Sequence, residues 1–151
     1  MDVDDDGLFR GKDVGKQAEE KHAIVSFYAK LFSTGMKGKW DERVYIELYA
    51  GSGHSKIRDT SRIIAGSPLQ ALALEHPFDK YIFCETNPKA LDALRARVER
   101  AAPSANVSYI EGIAIKTSAK FCLRFRLTLR GIAFYLCASS TLTTLESSSK
   151  R

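Results

Sequence analysis

The chain of 151 residues is long enough for one ordinary domain and too short for two. Its 44% hydrophobic and 27% charged residues match a soluble globular protein, and no apolar run reaches membrane-spanning length. The net charge of +5 is concentrated at one end: residues 116–151 hold seven Lys/Arg and one acid, leaving 16 bases against 17 acids in residues 1–115. The body therefore has no bulk electrostatic footprint for a phosphate backbone.

Residues 1–12 begin with the acidic run Asp4-Asp5-Asp6, lack the features of a secretory signal and are expected to be disordered. From about Lys16 to Ser33, the residues Ile24, Phe27, Tyr28, Leu31 and Phe32 fall at helical spacing and predict an amphipathic helix stopped at Gly35. Arg43–Tyr49 reads as a buried strand entering a tight turn at Gly51 and Gly53, and residues 54–66 read as a loop. Ser67 and Pro68 predict a helix start, with Ser67 as N-cap and an end near His76. Lys80–Glu85 is a second strand. Asn87-Pro88 repeats the cap-then-proline start, for a helix carrying Leu91, Leu94 and Val98 to about Ala102. Asn106–Glu111 is a third strand. The alternation predicts the first half of an open, parallel α/β sheet.

Glu47-Leu-Tyr-Ala-Gly51-Ser-Gly53 places an acid four residues before two glycines at the carboxyl end of the first strand. Ligands of open parallel sheets bind at that end, and glycine lets the backbone approach them. The same residues also suit a plain strand-to-loop turn. Glu85 ends the second strand, where a carboxylate accepts both hydroxyls of a ribose. Its alternative role is at the start of the next helix, where Asn87 already serves as cap. Position 56 is Lys, so a full Gly-x-Gly-x-x-Gly is missing, and there is no P-loop. S-adenosylmethionine suits this pattern better than a dinucleotide.

The acid-x-x-x-Gly-x-Gly pattern with a strand-terminal acid resembles class I S-adenosylmethionine-dependent methyltransferases. More closely, residues 13–112 resemble the three-Cys-motif partner (TcmP) family. The likeness is carried by Asp13–His22, Tyr45–Gly53, Gly66-Ser-Pro-Leu69 and Phe83–Pro88. It implies a Rossmann-like sheet of the methyltransferase type, here its N-terminal half behind an amphipathic helix. It also implies an S-adenosylmethionine pocket lined by Glu47, Ala50, Gly51, Ser52 and Gly53, with Glu85 on the ribose and Asn87 beside it. The partner implied is a separate protein with three cysteines. The acceptor is unassigned, nucleic acid or protein. The chain departs from the family at Ser52, where Pro is usual, and at Gln17, where an aromatic is usual.

Beyond Gly112 the likeness stops. Residues 113–151 form a basic, Ser/Thr-rich tail without proline. The family continues with Gly-Asp-x-Asn and later Asp-Pro-Tyr. Read one frame over, Gly112–Lys116 permits Gly-Asp-Cys-Asn and Cys137–Glu146 permits Asp-Pro-Tyr, so the tail is expected to be out of frame. The first strand would then have a bare edge, which tail segments such as Ile132–Leu136 could cover by chance. Without acceptor-side residues, this form is expected to be catalytically incompetent. The alternative is a non-enzymatic module that docks on its partner.

The remaining candidates carry less chemistry. His22 reads as a helix-surface or satisfied interior group, or as reaching the pocket. His54, Lys56, Arg58 and Arg62 read as a substrate mouth or a solvated loop. Ser52, Ser55 and Ser67 have no His/Asp relay. Trp40 reads as packing. Cys84, Cys122 and Cys137 form no Cys-x-x-Cys pair, which argues against a disulfide scaffold or a usual zinc site and points to a cytoplasmic protein. Sequencing the coding DNA across codons 110–118 is expected to find Gly-Asp-x-Asn in the frame that joins the last base of each codon to the first two of the next; its absence there refutes the frame shift.

Overall fold

The computed structural model describes residues 3–11, 13–112 and 131–136. In chain order these form α1 (Gln17–Met36), β1 (Glu42–Glu47), β2 (His54–Lys56), β3 (Ile63–Ala65), α2 (Ser67–Leu72), β4 (Lys80–Glu85), α3 (Pro88–Ala101), β5 (Val107–Glu111) and β6 (Gly131–Leu136). One sheet has the order β5-β4-β1-β6, every neighbour parallel, and β2 and β3 make a separate antiparallel hairpin. Parallel neighbours need crossovers. The hairpin and α2 lie between β1 and β4 in the chain, and α3 lies between β4 and β5.

The fold is α/β with a parallel sheet, as the alternation of strand and helix predicts. β6 pairs with β1 from Glu42↔Gly131 to Glu47↔Leu136, so the edge of β1 is covered. The rest of the expected out-of-frame tail, 113–130 and 137–151, lies outside the described residues, as do Cys122 and Cys137.

Strands buried on both faces read as continuous apolar runs. Val44–Ile46 and Tyr81–Cys84 are each no more than 1% exposed. Side chains alternate across the sheet. Tyr45, Tyr81 and Phe83 meet Ala29 of α1, Ala71 of α2, and Leu94 and Val98 of α3. Val44, Ile46, Ile82 and Cys84 form a second cluster. The rings of Tyr45, Phe78, Tyr81 and Phe83 contact one another at centroid separations of 5.3–6.3 Å.

Five expectations are corrected. Most of the apolar stripe of α1 does not face the core: Ile24, Phe27, Tyr28 and Leu31 are 53–58% exposed, while Ala29 and Ser33 are buried and only Phe32 of the stripe packs against the core. Ser33 sets this rotation. Its hydroxyl donates to the His76 carbonyl and accepts from Arg43 Nη1, which also reaches the Ser33 carbonyl at 3.0 Å. In α2, Gly66 is the N-cap rather than Ser67, whose hydroxyl turns to Glu47 instead. That helix stops at Leu72 rather than His76. The Tyr81 hydroxyl accepts from Phe78 N–H and sits 3.2 Å from the Ala71 carbonyl, tying the following turn to the core.

Residues 54–66 are not a plain loop but contain the β2–β3 hairpin, with Val14 bridging Ile57 alongside. Nor do residues 3–11 show the expected disorder. Val3 pairs with Phe9 across a turn at Gly7 (φ 76°), and Asp4 is only 8% exposed. Its acids have a specific cationic partner, Arg97, more than 90 positions along the chain.

Around α3 the reading holds closely. Asn87 Oδ1 accepts from Lys89 N–H at 3.0 Å, Pro88 opens the helix, and Leu91, Leu94 and Val98 are buried, the last two against the sheet. Leu94 is 0% exposed within the larger cluster. Leu94→Ala is expected to lower unfolding free energy by about 3 kcal/mol, seen as a lower denaturant midpoint with an unchanged slope.

Candidate functional site

β1 and β4 run parallel with Glu47 beside Phe83, so the Gly51–Gly53 turn and Glu85 both leave the carboxyl end of the sheet. They meet there directly. Gly51 N–H donates to Glu85 Oε2 at 2.8 Å, and Ala50 N–H donates to the Cys84 carbonyl at 3.0 Å. Glu85 Oε1 accepts from the N–H groups of Thr86 and Asn87 at 2.8 and 3.0 Å. The carboxylate is thus oriented by three backbone donors and stays partly exposed. Oε1 also accepts from the Thr86 hydroxyl at 3.2 Å and is filled, so the position left for a ligand hydroxyl is on Oε2, beside the Gly51 N–H.

The two glycines differ. At Gly51 (φ 67°) a Cβ would meet nothing within 4 Å among the described residues, so this backbone faces open space there. At Gly53 (φ 88°) it would lie 3.0 Å from Leu94 Cδ1 and 3.4 Å from Leu69 Cδ1. The room expected there for a ligand is filled by helix packing. Both need the left-handed conformation that glycine adopts without strain.

Of the seven residues expected to line the pocket, Gly51, Glu85 and Asn87 reach the surface, while Glu47, Ala50, Ser52 and Gly53 are buried. Asn87 acts as the helix cap. Ser52 Oγ lies 2.5 Å from the Arg10 carbonyl and 3.1 Å from that of His54. Glu47 is 1% exposed, with the Ser67 hydroxyl donating to Oε1 and the Tyr45 hydroxyl to Oε2 at 3.0 Å. Burial pushes its carboxyl up to about 8, against the opposing effect of these two bonds. It is mostly a neutral acid at pH 7 rather than a free charge facing a ligand.

Of the basic loop, His54 Nδ1 contacts Asp4 Oδ2 at 2.6 Å and Arg62 pairs with Glu19 at 2.6 Å, so these side chains do not converge on one mouth. Arg58 instead joins Asp13, Gln17, Lys21, His22 and Ser67 around a cavity of about 360 Å³ at the start of α1. His22 Nδ1 is buried there with no hydrogen-bond partner among the described residues, and burial lowers the imidazole pKa from its ordinary value. Cys84 is buried, its thiol pushed up to about 11, which makes it a packing residue rather than a nucleophile.

Asp4, Asp6 and His54 place ligand atoms within 4.8 Å of one another, a grouping able to hold a metal ion. Arg97 already occupies both carboxylates, with Nη2 3.2 Å from Asp4 Oδ2 and Nε 2.8 Å from Asp6 Oδ2. Sequence reading missed Ser67 as partner of Glu47, and missed Arg97. The signal for Arg97 was its place at i+3 from Leu94, on the apolar face of α3. Among the described residues no helix is long and apolar enough to cross a membrane.

Compared with known proteins, the chain matches no family model and no curated protein.

Glu47 gives a pH test. Its folded pKa is raised to about 8 from an ordinary 4.5, so between these values the folded chain keeps a proton that the unfolded chain has lost. Stability from this group is complete below the lower value and falls by up to about 1.4 kcal/mol per pH unit until the upper one. Glu47→Gln carries no such slope. Denaturant unfolding at about pH 5 and about pH 8 should show the wild type losing stability relative to this variant as pH rises.

Proposed function

We propose that the chain is an S-adenosylmethionine-binding, methyltransferase-like domain of the three-Cys-motif partner type, with a Rossmann-like half-sheet. The observation that carries this reading is the contact between Gly51 N–H and the Glu85 carboxylate, 2.8 Å across the carboxyl ends of β1 and β4. It sets an open glycine backbone beside a partly exposed acceptor, which fits an adenosyl ribose: Gly51 lets the ligand approach and Glu85 Oε2 accepts one of its hydroxyls. Bound there, the cofactor supplies an electrophilic methyl group. The chain's own contribution is position, since methyl transfer is accelerated mainly by alignment of the reacting atoms. The acceptor-side groups that the resemblance implies belong beyond Gly112, so we assign binding rather than transfer to this form.

The second reading is a module that docks on a partner protein without catalysis. The exposed Ile24, Phe27, Tyr28 and Leu31 on α1 favour it.

Titration with radiolabelled S-adenosylmethionine separates the two. Saturable binding by the unmutated chain is expected, weakened at least about tenfold, or roughly 1.4 kcal/mol, by Gly51→Val and by Glu85→Ala. Circular dichroism should show both variants folded. No binding by the unmutated chain leaves the docking module.

A further inference from the structure

We infer that the N-terminal segment is a positioning element: Asp4 and Asp6, acting through Arg97, hold the Gly51–Gly53 turn in the form a ligand meets. This rests on the reading of that turn as a ligand site.

Arg97 projects from α3 and is 3% exposed. All of its nitrogens are used. Nε and Nη2 each donate to Asp6 at 2.8 Å, and Nη2 also lies 3.2 Å from Asp4 Oδ2. Nη1 is shared between the Phe9 carbonyl at 2.9 Å and the Ser52 carbonyl at 2.7 Å. One guanidinium therefore joins the N-terminal segment to the residue between the two glycines. A second link runs the other way, from the Ser52 hydroxyl to the Arg10 carbonyl at 2.5 Å. A third joins His54, just past the turn, to Asp4 at 2.6 Å.

Such a turn needs outside support. Gly51 and Gly53 both sit at positive φ, and glycine has the widest choice of backbone conformation. Ser52 between them is fixed by Arg97 and Arg10. A buried guanidinium is stable only while its charge is met by well-placed acids. If Asp6 becomes neutral, Arg97 must seek other acceptors, and its bonds to the uncharged Phe9 and Ser52 carbonyls are the ones with least charge to hold them. Asp4 and Asp6 contact neither Gly51 nor Glu85 through any hydrogen bond or ion pair described, so their effect on that site passes through the turn.

The test uses the full chain with Asp6→Asn, Asp6→Glu and Asp4→Asn, read by S-adenosylmethionine titration and by amide hydrogen exchange without ligand. Asp6→Asn should weaken binding at least about tenfold and speed exchange across residues 50–54, leaving residues 80–85 of β4 as protected as before. Asp6→Glu should restore both readouts, and Asp4→Asn should act in the same direction if Asp6→Asn does not fold. Wild-type affinity in Asp6→Asn, or exchange accelerated equally in β4, overturns the inference. An unmutated chain that binds no S-adenosylmethionine refutes the proposed function instead, and the exchange measurement alone then decides whether the segment holds the turn.

Discussion

β1 is closed on all sides, and the arrangement at the carboxyl end of the sheet follows from that. Its backbone groups pair with β4 on one edge and β6 on the other, and its side chains are buried on both faces. A chain leaving such a strand has no room for a gradual bend, so it turns through glycine. The last residue of the strand, Glu47, is trapped at 1% exposure and is held by two hydroxyls. Charge is expensive in that place, and the carboxyl keeps its proton. Glu85, one strand over and two residues beyond the paired register, escapes this burial. The two acids of one sheet end thereby take different characters, one a neutral structural acid and the other a partly exposed acceptor.

Two buried arginines tie the periphery to this sheet, one at each end of β1. Arg43, at its start, reaches Asp79 with Nε at 3.0 Å and binds the carbonyls of Ser33 and Pro77. It thus fixes α1 against the entry to β4. Arg97 does the equivalent beyond the other end, joining α3 to the N-terminal segment and to Ser52. A guanidinium suits both places because its planar donors serve several acceptors at once, which an ammonium cannot do in fixed directions.

Long elements with local signals were legible in the sequence. Lys80–Glu85 was read to the residue, since an unbroken apolar run bounded by charge is a strand that burial enforces. The start of α3 was legible because Asn87-Pro88 acts locally. What escaped reading depends on partners far along the chain. Ser67 looks like a cap until Glu47 is placed beside it. Asp4 and Asp6 look solvated until Arg97 arrives from α3. β2 and β3, three residues each, are too short to show a period. The positions of the candidate residues were legible, acids and glycines at strand ends, but not their exposure. Only packing reveals that Leu94 and Leu69 fill the space at Gly53 while Gly51 stays open.

The outward face of α1 has a consequence for how the protein behaves in bulk. Ile24, Phe27, Tyr28 and Leu31 keep more than half of their surface in water. Salts excluded from protein surfaces, such as sulfate, raise the free energy of that wetted hydrocarbon, whereas urea lowers it. Precipitation by ammonium sulfate will therefore set in early for a chain of this size, and small amounts of urea will redissolve the pellet well before the sheet unfolds.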